Sequence, residues 1–346
     1  MRLTFFLLLC VPLTSAAAGL HLKVSSRSVS EPIAIKELAG DWRGTQHPGD
    51  IAWTRNRIEL GVDINGWGIA YTQRYDYVLR FNSETADIYY RDKNDLPAPQ
   101  GDVPVRLHAW HLRAQGVKFQ RSFKWRNGVY VTPSVSLLKG WQFQDGEMQG
   151  LLRSDSGTFN GQADLDYRYS QDLLLDHQFR TPSGKGLAVD LTLGWRGESR
   201  QAWLQFQDIY GALWWRHAPH THGRLNTMGR GDESVQLDPA FSGRRELKPY
   251  RQRLPVYTVG RYVQQQDDWD LQLDAEYFMD RLWLRPGIRW RALLGNPYLG
   301  YEVRDGQWAL GLGDDRKRWH LQLASDTWRL ERARALTLEF GYMVRW

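Results

Sequence analysis

From about residue 51 to the C-terminus, apolar and polar residues alternate in stretches of roughly ten, the length of a membrane-crossing strand, broken by Gly, Asn and Asp. Ile58, Leu60, Val62 and Ile64 interleave with Arg57, Glu59 and Asp63. Asn65-Gly66 follows, and then Trp67, Ile69, Tyr71, Tyr75, Tyr77, Leu79 and Phe81 interleave with Thr72, Arg74, Asp76 and Arg80. A period of two sends successive side chains to opposite faces of a strand. Asn-Gly between two such runs predicts a two-residue hairpin with both turn residues at positive φ. The pattern returns with Val117, Phe119, Phe123 and Trp125 against Lys118, Gln120 and Lys124, and with Leu271 and Leu273 against Gln272 and Asp274. It returns again with Leu282, Leu284, Ile288 and Trp290 against Arg281, Arg285 and Arg289. After the N-terminus no apolar run is long enough for a membrane helix. The chain reads as all-β.

Two architectures present one apolar and one polar face per strand. A soluble sandwich buries the apolar face. A transmembrane barrel turns it to lipid and keeps the polar face in the lumen. Continuous alternation, aromatics at strand ends and full charges in mid-strand favour the barrel. The last residues add to this: Leu336, Leu338, Phe340, Tyr342, Val344 and Trp346 alternate without a break to the chain end. This strand resembles the closing strand of bacterial outer-membrane β-barrels, which end on Phe or Trp. The resemblance implies a closed antiparallel porin-like barrel, recognition of Phe340, Tyr342, Val344 and Trp346 by the outer-membrane barrel assembly machinery, and contact with outer-membrane lipid and lipopolysaccharide. It identifies no subfamily. At about 20 residues per strand and turn, the chain predicts 16 strands, within a range of 14 to 18.

The N-terminus fits an exported, Gram-negative outer-membrane protein. Arg2, the apolar run Leu3–Leu13 and the small residues to Ala18 read as a signal peptide over 1–18. Residues 19–50 read as a periplasmic lead-in or short lumenal peg, with Glu37–Trp42 as a possible short helix, and 51–346 as the barrel. The segment 217–250 reads as a long extracellular loop, because it interrupts the alternation. The lone Cys10 lies in the signal peptide, so no disulfide is expected. Lys+Arg total 45 against 39 Asp+Glu, without basic runs, so nucleic acid is not an expected partner.

Candidate chemistry lies on the polar faces. A Met279-Asp280 turn would set Asp274 opposite Arg285 and Asp270 opposite Arg289. Arg281, Arg285 and Arg289, with Trp283 as a stacking face, then form either an arginine track for anions or an ion-pair ladder joining two strands. The first hairpin sets Arg57 opposite Arg74, a repulsive pair unless an anion lies between them; Glu59 is the nearest candidate. Arg121 falls on the lipid side, which implies a bulge in the strand or a lipid phosphate or neighbouring subunit beside it. His217, His220 and His222 have no carboxylate or Cys at a matching spacing, so a solvated loop, no metal and no cofactor are expected. No His-x-Ser-Asn-Gly type motif of the outer-membrane phospholipases is present, and no enzyme is expected. The expected function is a channel for small hydrophilic solutes, anionic or saccharide, with a non-conducting receptor, adhesin or export-system partner as the alternative. Gly300, Gly311 and Gly313 predict an open lumen beside the last strands, whereas the charged ladders predict a closed one. The oligomeric state is not legible.

Overall fold

The computed structural model describes residues 18–346 apart from 39, 156–157, 172–181, 230–239 and 315–317. The signal-peptide reading of 1–18 therefore falls outside the described residues, except at Ala18. Strands β1 (Ala18–Ser30), β2 (Ile51–Ile64), β3 (Trp67–Phe81), β4 (Gly101–Arg121), β5 (Phe123–Lys124) and β6 (Val129–Asp155) open the fold. They are followed by β7 (Thr158–Tyr169), β8 (Gly184–Arg196), β9 (Arg200–Gly229), β10 (Ala240–Arg253) and β11 (Tyr257–Gln265). The last are β12 (Trp269–Phe278), β13 (Arg281–Trp290), β14 (Tyr298–Glu302), β15 (Gln307–Gly313), β16 (Trp319–Ser325) and β17 (Ala335–Arg345). Helices α1 (Ile35–Leu38) and α2 (Ser83–Lys93) follow β1 and β3.

Among the described residues, fourteen strands close one antiparallel ring: β1-β2-β3-β4-β6-β8-β9-β11-β12-β13-β14-β15-β16-β17, and back to β1. The expectation of 16 strands is corrected to fourteen in the wall, with three more beside it. The cause is strand length. A membrane crossing takes about 9–11 residues, but β4 has 21, β6 has 27 and β9 has 30. Their excess extends past the rim opposite the termini. There β7 pairs with β6 and β9 above β8, and β10 pairs with β9 above β11.

The alternation maps onto inside and outside. Leu60, Ile69, Phe119, Leu137, Leu271, Leu310 and Leu323 point outward and are exposed, while Arg74, Asp76, Lys118 and Asp274 between such positions are buried. Outward aromatics form two belts, with Trp67, Trp125, Trp195 and Trp269 near the termini and Tyr210, Trp214, Tyr277 and Tyr301 further up. A water-soluble protein rarely exposes so continuous an apolar band, and belts of this kind mark the interfaces of a membrane barrel. This surface decides between sandwich and barrel. Arg121 needs no bulge. It stands opposite Trp67 at the strand end, its guanidinium 4.5 Å from that ring and donating to the Asn65 carbonyl at 3.0 Å.

Both turn expectations hold. Asn65 and Gly66 have φ of 50° and 80°, and Met279 and Asp280 have φ of 47° and 64°. Two segment readings do not. Residues 18–30 are a wall strand, paired with β17 on one side and β2 on the other, rather than a lead-in. Residues 31–50 cross the rim opposite the termini, where Ile33 and Trp42 are buried against Ala86 of α2. Among the described residues, 217–229 and 240–250 are strand rather than loop. They form the upper halves of β9 and β10, paired from Asn226–Ala240 down to Ala212–Arg253. The tip, 230–239, lies outside the described residues.

Candidate functional site

The lumen is layered. A vestibule of about 760 Å³ opens at the rim opposite the termini, lined by Glu31, Asp50, Arg80, Arg106, Arg281 and Arg304 among others. Below it a buried apolar cluster fills the bore, built from Trp53, Trp110, Leu112, Phe143, Leu213, Trp215 and Phe278. Trp53 packs edge-on to Phe278 at 5.0 Å and to Trp283 at 5.5 Å, and Phe143 stacks on Trp215 at 4.1 Å. Glycines make the room. A Cβ on Gly140 or Gly184 would come within 2.7 and 2.8 Å of the Trp215 ring. Beneath this layer lies a charged cavity of about 420 Å³, and a third of about 640 Å³ reaches the rim with the termini; both touch Trp203, Arg261 and His320. The vestibule shares no lining residue with the central cavity.

The central cavity is held by ion pairs. The repulsive register of Arg57 opposite Arg74 is present as expected. Its anion is not Glu59 but a pair of aspartates. Arg74 donates two parallel bonds of 2.8 Å to Asp208 and one of 2.9 Å from Nε to Asp76. Arg57 also binds Asp76, and Arg55 approaches Asp208 at 3.5 Å. Asp208 reaches in because β9 has a register shift there and the residue takes φ 57°. Such a bulge re-aims a side chain. Glu59 instead meets Lys118 at 3.1 Å and His21 at 3.5 Å. Sequence reasoning missed Asp208 because its partners lie 134 and 153 positions away.

The β12–β13 register matches expectation at every pair, Asp274 opposite Arg285 and Asp270 opposite Arg289. The side chains do not form one track. Arg281 binds Asp50 and, at 3.2 Å, Glu31 in the vestibule. Arg285 shares Asp274 with Arg261, at 3.4 and 2.5 Å. Arg289 bonds the Asn296 carbonyl at 3.1 Å near the opposite rim, and Asp270 is taken by Arg291 at 3.0 Å. Trp283 is no open stacking face. It is 2% exposed, lies between the Arg27 and Arg304 guanidiniums, and donates to Asp305 at 2.7 Å. The glycine space beside the last strands is filled too, since a Cβ at Gly287 or Gly300 would strike the Tyr298 ring.

At the vestibule, burial pushes the Glu31 carboxyl up. The Asp50 backbone N–H and the Arg281 and Arg304 guanidiniums outweigh that and hold it below its ordinary value. Of the closing-strand residues, Phe340, Tyr342 and Val344 stand on β17 opposite Val24, Leu22 and Leu20 of β1. Trp346 exchanges backbone hydrogen bonds with Ala18 at 3.0 and 3.2 Å. The terminal strand thus forms the seam of the ring. The histidine segment carries a further correction: the missing carboxylate comes from across the hairpin, Glu246 standing opposite His220.

No protein-family model and no curated protein matches the chain. Among solved structures it is similar to the P. putida toluene transporter TodX, at 9% identity over 96% of this chain and 90% of that one, with a TM-score of 0.43. A TodX deltaS2S3 mutant monoaromatic hydrocarbon channel gives 9% identity over 95% and 89%, with a TM-score of 0.44. The beta domain of the Bordetella autotransporter Brka gives 13% identity over 94% and 98%, with a TM-score of 0.24.

Proposed function

We propose that the protein is an outer-membrane channel for small, neutral hydrophilic solutes such as saccharides, closed at rest by its aromatic layer. The observation that carries this is the composition of the central cavity. Seven lysine and arginine side chains line it against seven carboxylates, with Trp203 and Tyr257 among them. Balanced charge gives an ion of either sign little advantage, while paired polar groups and aromatic faces suit hydroxyl-rich rings. The anionic variant of the channel reading is therefore the weaker one. The short turns at 65–66 and 197–199 lie on the rim with the termini, and short turns are typical of the periplasmic side. The capped rim then faces outward. The filled bore keeps the alternative, a non-conducting surface protein, in view.

Ion selectivity tests the solute class. Conducting protein in a planar bilayer with a salt gradient should give a reversal potential near zero. Proteoliposomes should swell with monosaccharides faster than with sugar acids of the same size. Strong selectivity for anions or cations would contradict the neutral-solute reading.

A further inference from the structure

Above the outward aromatic Trp214, the sheet formed by β7, β9 and β10 carries a cluster that the lumen does not use. His220 and His222 lie two apart on β9 and so share a face. Glu246 of β10 stands opposite His220, and Asp166 of β7 stands opposite His222. The imidazole Nδ1 atoms of both histidines are buried without a hydrogen-bond partner. Both face one carboxylate oxygen, Glu246 Oε1, at 3.5 and 3.9 Å. Those separations are too long for hydrogen bonds. They lie close to the edge of a tetrahedron whose centre is about 2.0–2.1 Å from each corner, roughly 3.4 Å, as around zinc. On its other side His220 presents Nε2 to Asp166 Oδ1 at 3.2 Å. A carboxylate there fixes the tautomer that leaves Nδ1 free to coordinate.

We propose that His220, His222 and Glu246 bind a divalent transition-metal ion of the zinc class, with Asp166 as the residue that orients His220. Two imidazoles and a carboxylate suit zinc, nickel or copper better than calcium or magnesium, and three protein ligands leave a fourth position open. The ion ties β9 to β10. Lys248 is its competitor. Its ammonium pairs with the same Glu246 oxygen, but the side chain is exposed and can swing away. Arg168 and Arg244, opposite His220 and His222, and Arg224, which pairs with Asp164, are the other basic groups on this face, and Arg168 also donates to Asp166 Oδ1 at 2.9 Å.

The test is titration of tag-free, full-length, folded protein with zinc chloride by calorimetry, with the ligand set read by X-ray absorption at the zinc edge. The expected result is one ion per chain with two imidazole nitrogens and a carboxylate oxygen in its shell. Glu246→Gln and the half-exposed His222→Ala should abolish tight binding. Asp166→Asn should weaken it by about 10–100-fold, and Lys248→Gln should strengthen it. Magnesium chloride should give no comparable heat. Absence of stoichiometric zinc binding would overturn the proposal, as would binding that survives both Glu246→Gln and His222→Ala.

Discussion

Asp208 concentrates the energetics of the lumen in one side chain. It sits 3% exposed among Arg55, Arg57 and Arg74 and is held on the left-handed backbone of a bulge. Removing one partner from a buried charge group costs about 3–5 kcal/mol, because it leaves uncompensated charge buried away from water. Asp208→Asn keeps the backbone preference and removes only the charge, so it should lower unfolding stability in lipid vesicles by about that amount. A stability within error of the parent would show that Asp76 alone neutralises the three arginines. Glu31 provides a pH test at the rim. Its folded value lies below its ordinary 4.5, so the stability it gives the 31–50 cap is complete above that value. It is lost as pH falls through the depressed folded value. Amide exchange in the described part of 31–50 should accelerate as the pH falls below Glu31's ordinary value in the parent. In Glu31→Gln it should be fast and flat with pH. Identical profiles in the two proteins would sever the cap from this carboxyl.

At the scale of elements, what was legible followed from local rules. Asn65-Gly66 and Met279-Asp280 set two hairpin registers residue by residue, because two-residue turns leave no slack. The closing strand was legible from its unbroken alternation. β1 was harder to see. Leu20, Leu22 and Val24 do alternate with His21 and Lys23, but the strand continues through Ser26 and Ser28, so its outward face fades. The upper halves of β9 and β10 read as a loop because Gly- and Arg-rich strands outside the lipid band need no apolar face. The ion pairs around Asp208 and the cluster at Glu246 depend on non-local register, which no spacing in the sequence reveals. The β17–β1 seam gives the element-scale prediction. Trp346→Asp places a charge beside the closing hydrogen bonds, where a terminal aromatic belongs at the interface. The variant should accumulate less in the outer-membrane fraction and be degraded in the periplasm. Unaltered heat-modifiable mobility and yield would remove Trp346 from the assembly signal.

For the whole molecule, the wall and the bore tell different stories. Among the described residues, the wall is a closed ring of fourteen strands with a lipid-type exterior. The bore is interrupted between the vestibule and the central cavity by buried aromatic side chains. Conduction therefore depends on whether Phe143 and Trp215 can be moved out of the path. Truncating them removes stacked rings at 4.1 Å without touching a buried charge pair, so the fold should survive while the layer opens. The decisive measurement is single-channel conductance in a planar bilayer, comparing the parent with Phe143→Ala/Trp215→Ala, each checked for heat-modifiable folding. A channel closed by its aromatic layer predicts rare, small steps in the parent and frequent steps several-fold larger in the double variant. A folded double variant as silent as the parent would contradict that account and leave a non-conducting surface protein.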